Sequence, residues 1–197
     1  MVTITALERI EDINTCEKFL MSHKLWGTDL EMTAYGQIGY LKDEALIVKL
    51  TAHEKNPLTT YKNDDEPVYR DSALEVFMYF ATKPDTYLNL EINANGALLA
   101  QCGKVRAREW IATKTKERVT VTVEKSEEKW SVLLVIPLSL VRDCYGDVKL
   151  QSGTEIGFNV TKICEAQENL HFISYADLPG ERPNFHQPEH FLKAWLE

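Results

Sequence analysis

Several large functional classes leave marks that this sequence does not carry. There is no basic excess: 22 Lys and Arg stand against 30 Asp and Glu, a formal charge of −8. Phosphate backbones and anionic lipid headgroups repel such a chain, so neither nucleic acid nor a membrane surface is an expected partner. No apolar run approaches the ~20 residues that a membrane span needs. Met1-Val2-Thr3-Ile4 lacks the basic and apolar regions of a signal peptide, which reads as cytoplasmic, or as secreted where a signal has been removed. The four cysteines, Cys16, Cys102, Cys144 and Cys164, are scattered with no CxxC pair. Zinc is not suggested, and buried free thiols are expected. No GxSxG, HExxH, phosphate-loop or dinucleotide fingerprint appears. Repeats, low-complexity segments and linkers are also lacking, so 1–197 reads as one domain, long enough to bury a sizeable core.

What is there is alternation. Asp71 to Gly96 holds two alternating runs around Thr82-Lys83-Pro84-Asp85, where Pro presets its backbone angle and Asp can bond its own backbone. The pattern predicts a β-hairpin. Leu74, Val76, Met78 and Phe80 share a face with Leu88, Leu90 and Ile92. Pairing these two rows fixes the register, since a slip by one residue would expose them all. Glu75 and Glu91 then lie together on the opposite face, read as wet, among Tyr79 and Tyr87. Further strands are expected at 2–10, 34–41, 44–53, 98–101, 118–124, 155–164, 170–176 and 191–196. Residues 130–136, apolar on both parities, read as a central strand. Asn14-Thr15 reads as the cap of a short helix through Met21. Pro137 opens one or two helical turns to Cys144. Lys55 to Arg70, Gly103 to Arg108 and Pro179 to Pro188 read as loops; the first is long enough to reach over a site. Many short strands and little helix predict an all-β sandwich.

Carboxylates, amides and rings on one hairpin face suit a polyhydroxylated ligand. A carboxylate accepts strongly at both oxygens, and rings pack against sugar C–H groups. Glu75, Glu91 and Asn93 are the acceptors of this reading. Arg106, Arg108 and Arg182 are cations that could join them, and His186, beside Phe185 between two prolines, is a candidate donor. His171 is assigned to sheet packing.

Several blocks, in order, resemble carbohydrate-binding module family 9. Val68-Tyr69-Arg70-Asp71-Ser72-Ala73-Leu74-Glu75-Val76-Phe77 is similar to its D-S-x-x-E-x-F block, and Tyr87 to Gly96 to the strand and turn that follow. Trp130-Ser131-Val132 through Ile136-Pro137-Leu138 resembles a "W-x-v … IP" strand. Gly157-Phe158-Asn159 and Ile173-Ser174-Tyr175 resemble two late strands, and Pro183-Asn184-Phe185-His186-Gln187-Pro188-Glu189-His190-Phe191 the C-terminal ending. The resemblance implies a jelly-roll-like antiparallel β-sandwich with one or two short helices. It also implies non-catalytic binding of mono- or oligosaccharide, often at a chain end between two rings, in the context of carbohydrate catabolism. Tyr69 and Phe185 fall where characterised modules carry tryptophan, and Glu75 falls on the acidic ligand residue. Glu91 falls where the family has arginine, so a donor has become an acceptor. Leu192 stands where the ending has glycine. The resemblance also makes a structural calcium an option, as some members hold one.

Two other classes compete. Two glutamates on one face would suit a glycoside hydrolase, whose retaining forms hold carboxyls ~5–5.5 Å apart, close to the spacing of opposed strand residues. A protein-interaction sandwich is the third reading.

Overall fold

The structure, a computed structural model, describes residues 2–197. Fourteen strands and one α-helix follow in order: β1 (Val2–Ala6), β2 (Phe19–Leu20), β3 (His23–Lys24), β4 (Ala34–Leu41), β5 (Ala45–Ala52), β6 (Ala73–Phe80), β7 (Thr86–Asn93), β8 (Leu98–Lys104), β9 (Ala107–Trp110), β10 (Thr120–Lys125), β11 (Trp130–Pro137), α1 (Leu138–Tyr145), β12 (Glu155–Cys164), β13 (His171–Ser174) and β14 (Leu192–Leu196). They form an all-β sandwich. One layer runs β10-β11-β5-β4, with β2 on the edge of β4. The other runs β14-β12-β6-β7-β8-β9, with β13 beside β12 and β3 beside β13. Strand β1 joins the layers, parallel to β14 through Val2–Ile4 and to β4 through Thr5 and Ala6. Those two contacts are parallel; the other pairings are antiparallel, as expected.

Alternation builds the core between the layers. Leu74, Val76, Met78 and Phe80 of β6 and Leu88, Leu90 and Ile92 of β7 meet Leu46, Val48 and Leu50 of β5 and Val132, Leu134 and Ile136 of β11 in one cluster. At one end an ammonium ties the layers together. Lys162 of β12 is wholly buried, and its Nζ donates to Ser72 Oγ (2.7 Å) and His171 Nε2 (2.7 Å), with Glu54 Oε2 at 3.4 Å. Glu54 also accepts from Ser72 Oγ and from Trp130 Nε1. His171 Nδ1 donates to Asn169 O, which leaves Nε2 free to accept. The expected packing role of His171 is thus one of hydrogen bonding as well.

Two local expectations fail. The helix predicted to follow Asn14-Thr15 is a 3-10 helix over Ile10–Thr15 that ends there. Asn14 Nδ2 and Thr15 Oγ1 bond back to the carbonyls of Glu11 and Asp12, closing the preceding turn instead of capping a following helix. Residues 103–108 are not a loop. Strands β8 and β9 pair through Gly103↔Arg108 and Lys104↔Ala107 across a tight turn at Val105-Arg106, where Arg106 takes φ +62°. Among the described residues no helix is long and apolar enough to cross a membrane.

Candidate functional site

The outer face of the β6–β7 hairpin is not wet. Phe77, Tyr79 and Tyr87 lie under a second apolar layer that includes Leu25, Phe172, Leu178, Phe185 and Phe191. Three large rings on one face of the β6–β7 hairpin carry more apolar surface than water tolerates cheaply, so the segment after β13 folds back over them. Trp26 Nε1 pins that segment at Gly180 O (3.0 Å), and Gln187 Nε2 holds Pro179 O and Asn184 O. Close contact is needed beneath it. Tyr79 lies flat across Gly157 of β12, where any Cβ would come within 2.0 Å of the ring.

The cover stops short of the carboxylates, and the gap is a cavity of about 470 Å³, within the ~300–1,000 Å³ usual for small-ligand sites. Cross-strand rows make its floor. One row runs Thr161 (β12), Glu75 (β6), Glu91 (β7), Leu99 (β8), so the two glutamates are directly opposed, as the alternation predicts. The next runs Asn159, Phe77, Asn89, Gln101, Trp110, and a further row ends at Tyr87, Gly103 and Arg108. Above stand Tyr69, Pro183, Asn184, Phe185 and His186 from the two long loops.

The first loop is held by the Asp71 and Asn93 side chains. Asp71 Oδ2 accepts from Thr60 N, Tyr61 N and Asn93 Nδ2 at 2.8–2.9 Å. Asn93 Nδ2 also donates to Tyr61 O, while its Oδ1 accepts from Asn95 N and Ala97 N. The D-S-x-x-E block therefore splits into three tasks: Asp71 anchors the loop, Ser72 joins the Lys162 network, and Glu75 reaches the cavity.

Tyr69, Glu75, Glu91, Phe185 and His186 line one cavity. Asn93 does not: it is fully buried beneath the loop with its amide committed, a structural residue and not a ligand contact. Arg106 and Arg182 line a neighbouring open groove instead. Arg106 sits at the hairpin tip, and Arg108, two residues on, turns inward with Trp110 by strand alternation. Arg108, Trp110, Gln101 and Glu165 line the cavity as well. Reading A-R-E-W as a strand would have singled out Arg108 from Arg106 and found Trp110. Phe185 is only 5% exposed, packed on Trp26 at 5.1 Å between ring centroids, so it is a wall of the cavity rather than a free platform. Trp110, 37% exposed, is the open ring.

Electrostatics set the floor apart. Burial raises the Glu75 carboxyl to about 7 even though Thr161 Oγ1 donates to it. Burial and then the facing Glu75 lift Glu91 well above the usual carboxylate range. Two carboxyls held this close and dry retain a proton at neutral pH. Arg108 donates through Nε to Gln101 (3.1 Å) and through Nη1 to Tyr87 Oη (2.8 Å). Tyr87 Oη and His186 Nδ1 share a hydrogen bond at 2.9 Å; with the hydroxyl as its donor, the imidazole hydrogen sits on Nε2. Burial and then Arg108 push His186 down to about 3, so the ring is neutral. A structural calcium would need about six to eight oxygen ligands. Among the described residues no three His, Cys, Asp or Glu side chains converge on one point, so these side chains offer no such cage.

A model of one protein family, carbohydrate-binding family 9, matches residues 33–195. No protein among the curated ones matches the sequence. A Bacteroides uniformis protein whose description proposes carbohydrate binding is 20% identical, with a TM-score of 0.80 over 100% of this chain and 98% of that one. A family 9 carbohydrate binding module of Caldicellulosiruptor kristjanssonii, in complex with glucose, is 15% identical with a TM-score of 0.73, covering 100% of this chain and 95% of that one. The cellotriose complex of a family 9 module from the same organism gives 16%, 0.68, and coverage of 100% and 93%. At these identities the structures establish a common fold, while the family match spans most of the chain: the protein belongs to carbohydrate-binding family 9.

Proposed function

We propose that the cavity between the Glu75–Glu91 pair and the rings of Tyr69, Trp110 and Phe185 holds a mono- or oligosaccharide without altering it. The observation that carries this is the meeting of three rings with unspent hydrogen-bonding groups in one cavity of about 470 Å³. Apolar sugar faces pack on the rings and exclude water. Hydroxyl groups donate to Glu75 and Glu91 and accept from Arg108 and from the Nε2 hydrogen of His186. Neighbours of this fold with glucose and cellotriose bound support a gluco-configured ligand, and carbohydrate catabolism is the natural setting.

One observation favours a hydrolase: a carboxyl raised to about 7 is what a general acid requires. The pairing weighs against it. Glu75 and Glu91 project side by side from neighbouring strands, so both approach the ligand from one side, whereas a hydrolase sets its carboxyls about the scissile bond from two sides.

Titration calorimetry against a panel of glucosides, xylosides and hexosamines tests the proposal, with Tyr69→Ala and Trp110→Ala beside the wild type. Saturable binding weakened by both changes is expected. No saturable binding, or binding indifferent to both, would overturn it. Aryl-glycoside hydrolysis that vanishes in Glu75→Gln would replace it with the hydrolase.

A further inference from the structure

We infer that the saccharide this protein prefers is acidic: the unit next to the one in the cavity is a uronate, and its carboxylate is met by Arg106 and Arg182 in the adjoining groove. The inference rests on the carbohydrate reading above and deepens it.

The groove borders the cavity. Arg108, Pro183, Asn184 and His186 line both, so an oligosaccharide whose end ring fills the cavity runs past these residues into a groove of about 790 Å³. One wall is the tip of the β8–β9 hairpin. The other is the loop after β13, which Trp26 and Gln187 pin by the carbonyls of Pro179, Gly180 and Asn184. Val105, 41% exposed, and Pro179 and Pro183 add apolar surface, which suits the C–H face of a second ring.

Charge decides what that ring carries. Three arginines line the groove against one carboxylate, Glu181, and His186 is neutral, in a chain whose formal charge is −8. Arg108 already donates to Gln101 and Tyr87. Among the described residues Arg106 and Arg182, one on each wall, make no ion pair. A guanidinium is a planar fork of N–H donors that matches a carboxylate and is weakly hydrated. A neutral ring would leave both forks to water, whereas a uronate gives them an acceptor of opposite charge. The backbone points the same way. Arg106 takes φ +62°, where glycine or asparagine would sit at less cost, and backbone held in costly regions clusters at ligand clamps.

The test is calorimetry near neutral pH on the full wild-type chain. Cellobiose is compared with the disaccharides of glucose and glucuronate, in both orders, and with their methyl esters, at ~0.05 M and ~0.5 M salt. At the lower salt at least one acid is expected to bind about fivefold tighter than cellobiose. That advantage should shrink at the higher salt and vanish in the ester, which removes the charge. In the double variant Arg106→Gly, Arg182→Gln the ratio of acid to cellobiose affinity should fall towards one. Cellobiose binding as well as or better than both acids would overturn the inference while the carbohydrate reading stands. So would an ester that binds as well as its acid, or a ratio that survives the double variant. Absence of binding to every saccharide tried would overturn both. The ester comparison needs no substitution, so a double variant that fails to fold leaves the decision intact.

Discussion

Replacing Glu75 by glutamine keeps the shape of the side chain and removes its charge, and the fold should become more stable as a result, increasingly so as pH climbs. In the folded protein burial holds this carboxyl at about 7 against an ordinary 4.5. Through that window the folded state keeps a proton that the unfolded chain has released. Stability therefore falls as pH rises through the window and levels off above it. A gap of this size corresponds to at most about 3 kcal/mol, at ~1.4 kcal/mol per pH unit. The glutamine variant has no such proton to lose. Its amide oxygen can still accept from Thr161, and any loss in that bond weighs equally at every pH. Urea denaturation of both proteins at about pH 5 and about pH 8 isolates the effect. Stabilities should be similar at the lower pH, with the variant ahead by about 2–3 kcal/mol at the higher, or roughly 5–10 °C in Tm for a chain of this size. The same variant should bind sugar more weakly, the usual exchange of stability against function at a strained site. A difference between the two proteins that is the same at both pH values, or larger at the lower, would refute the reasoning.

Other outcomes follow from the same geometry. Lys162→Met strands Glu54 without its ammonium and should cost about 3–5 kcal/mol in urea melts, most of it recovered in the double variant with Glu54→Gln. Phe185→Ala opens a void in the covering layer and should cost about 3–5 kcal/mol as well as weakening saccharide binding. Trp110→Ala, at an exposed ring, should weaken binding and leave the Tm within about 2 °C, since exposed substitutions usually cost under about 0.5 kcal/mol. His171 and His186 are neutral in the fold, held down to about 4 and about 3 by burial. Both titrate in the unfolded chain near the ordinary value, so their contribution to stability falls as pH drops below about 6.5, against the opposite trend of Glu75, and a melt series of Glu75→Gln, where that opposing contribution is removed, should show the fall.

Much of this site was legible in the residues because strand alternation is a strict rule. The opposed placement of Glu75 and Glu91 needed only the two apolar rows of the hairpin. The two distant loops that carry Tyr69 and Phe185 were placed by resemblance, and they do reach the same cavity. What alternation could not give was the cover. Phe77, Tyr79 and Tyr87 share a face with the glutamates, and the bias of that row toward rings signalled a second buried layer, but no local pattern says which loop supplies it. Asn93 misled for a related reason. It lies on the same strand face as Glu91, yet the loop anchored by Asp71 closes over it. The arginines were separated by a turn: once Arg106 occupies the tip between β8 and β9, only Arg108 can face inward. The Lys162 network had no sequence signal at all, since its members come from segments up to 117 positions apart, Glu54 and His171 at the ends.

A crystal structure of the chain grown with the saccharide that binds tightest in the titrations tests the account most directly. Density for a sugar ring should stand over the opposed Glu75 and Glu91, walled by Tyr69, Trp110 and Phe185. A sugar seated instead in the cavity on the other layer, lined by Tyr35, Lys49 and Trp130, with nothing above the glutamates, would contradict it.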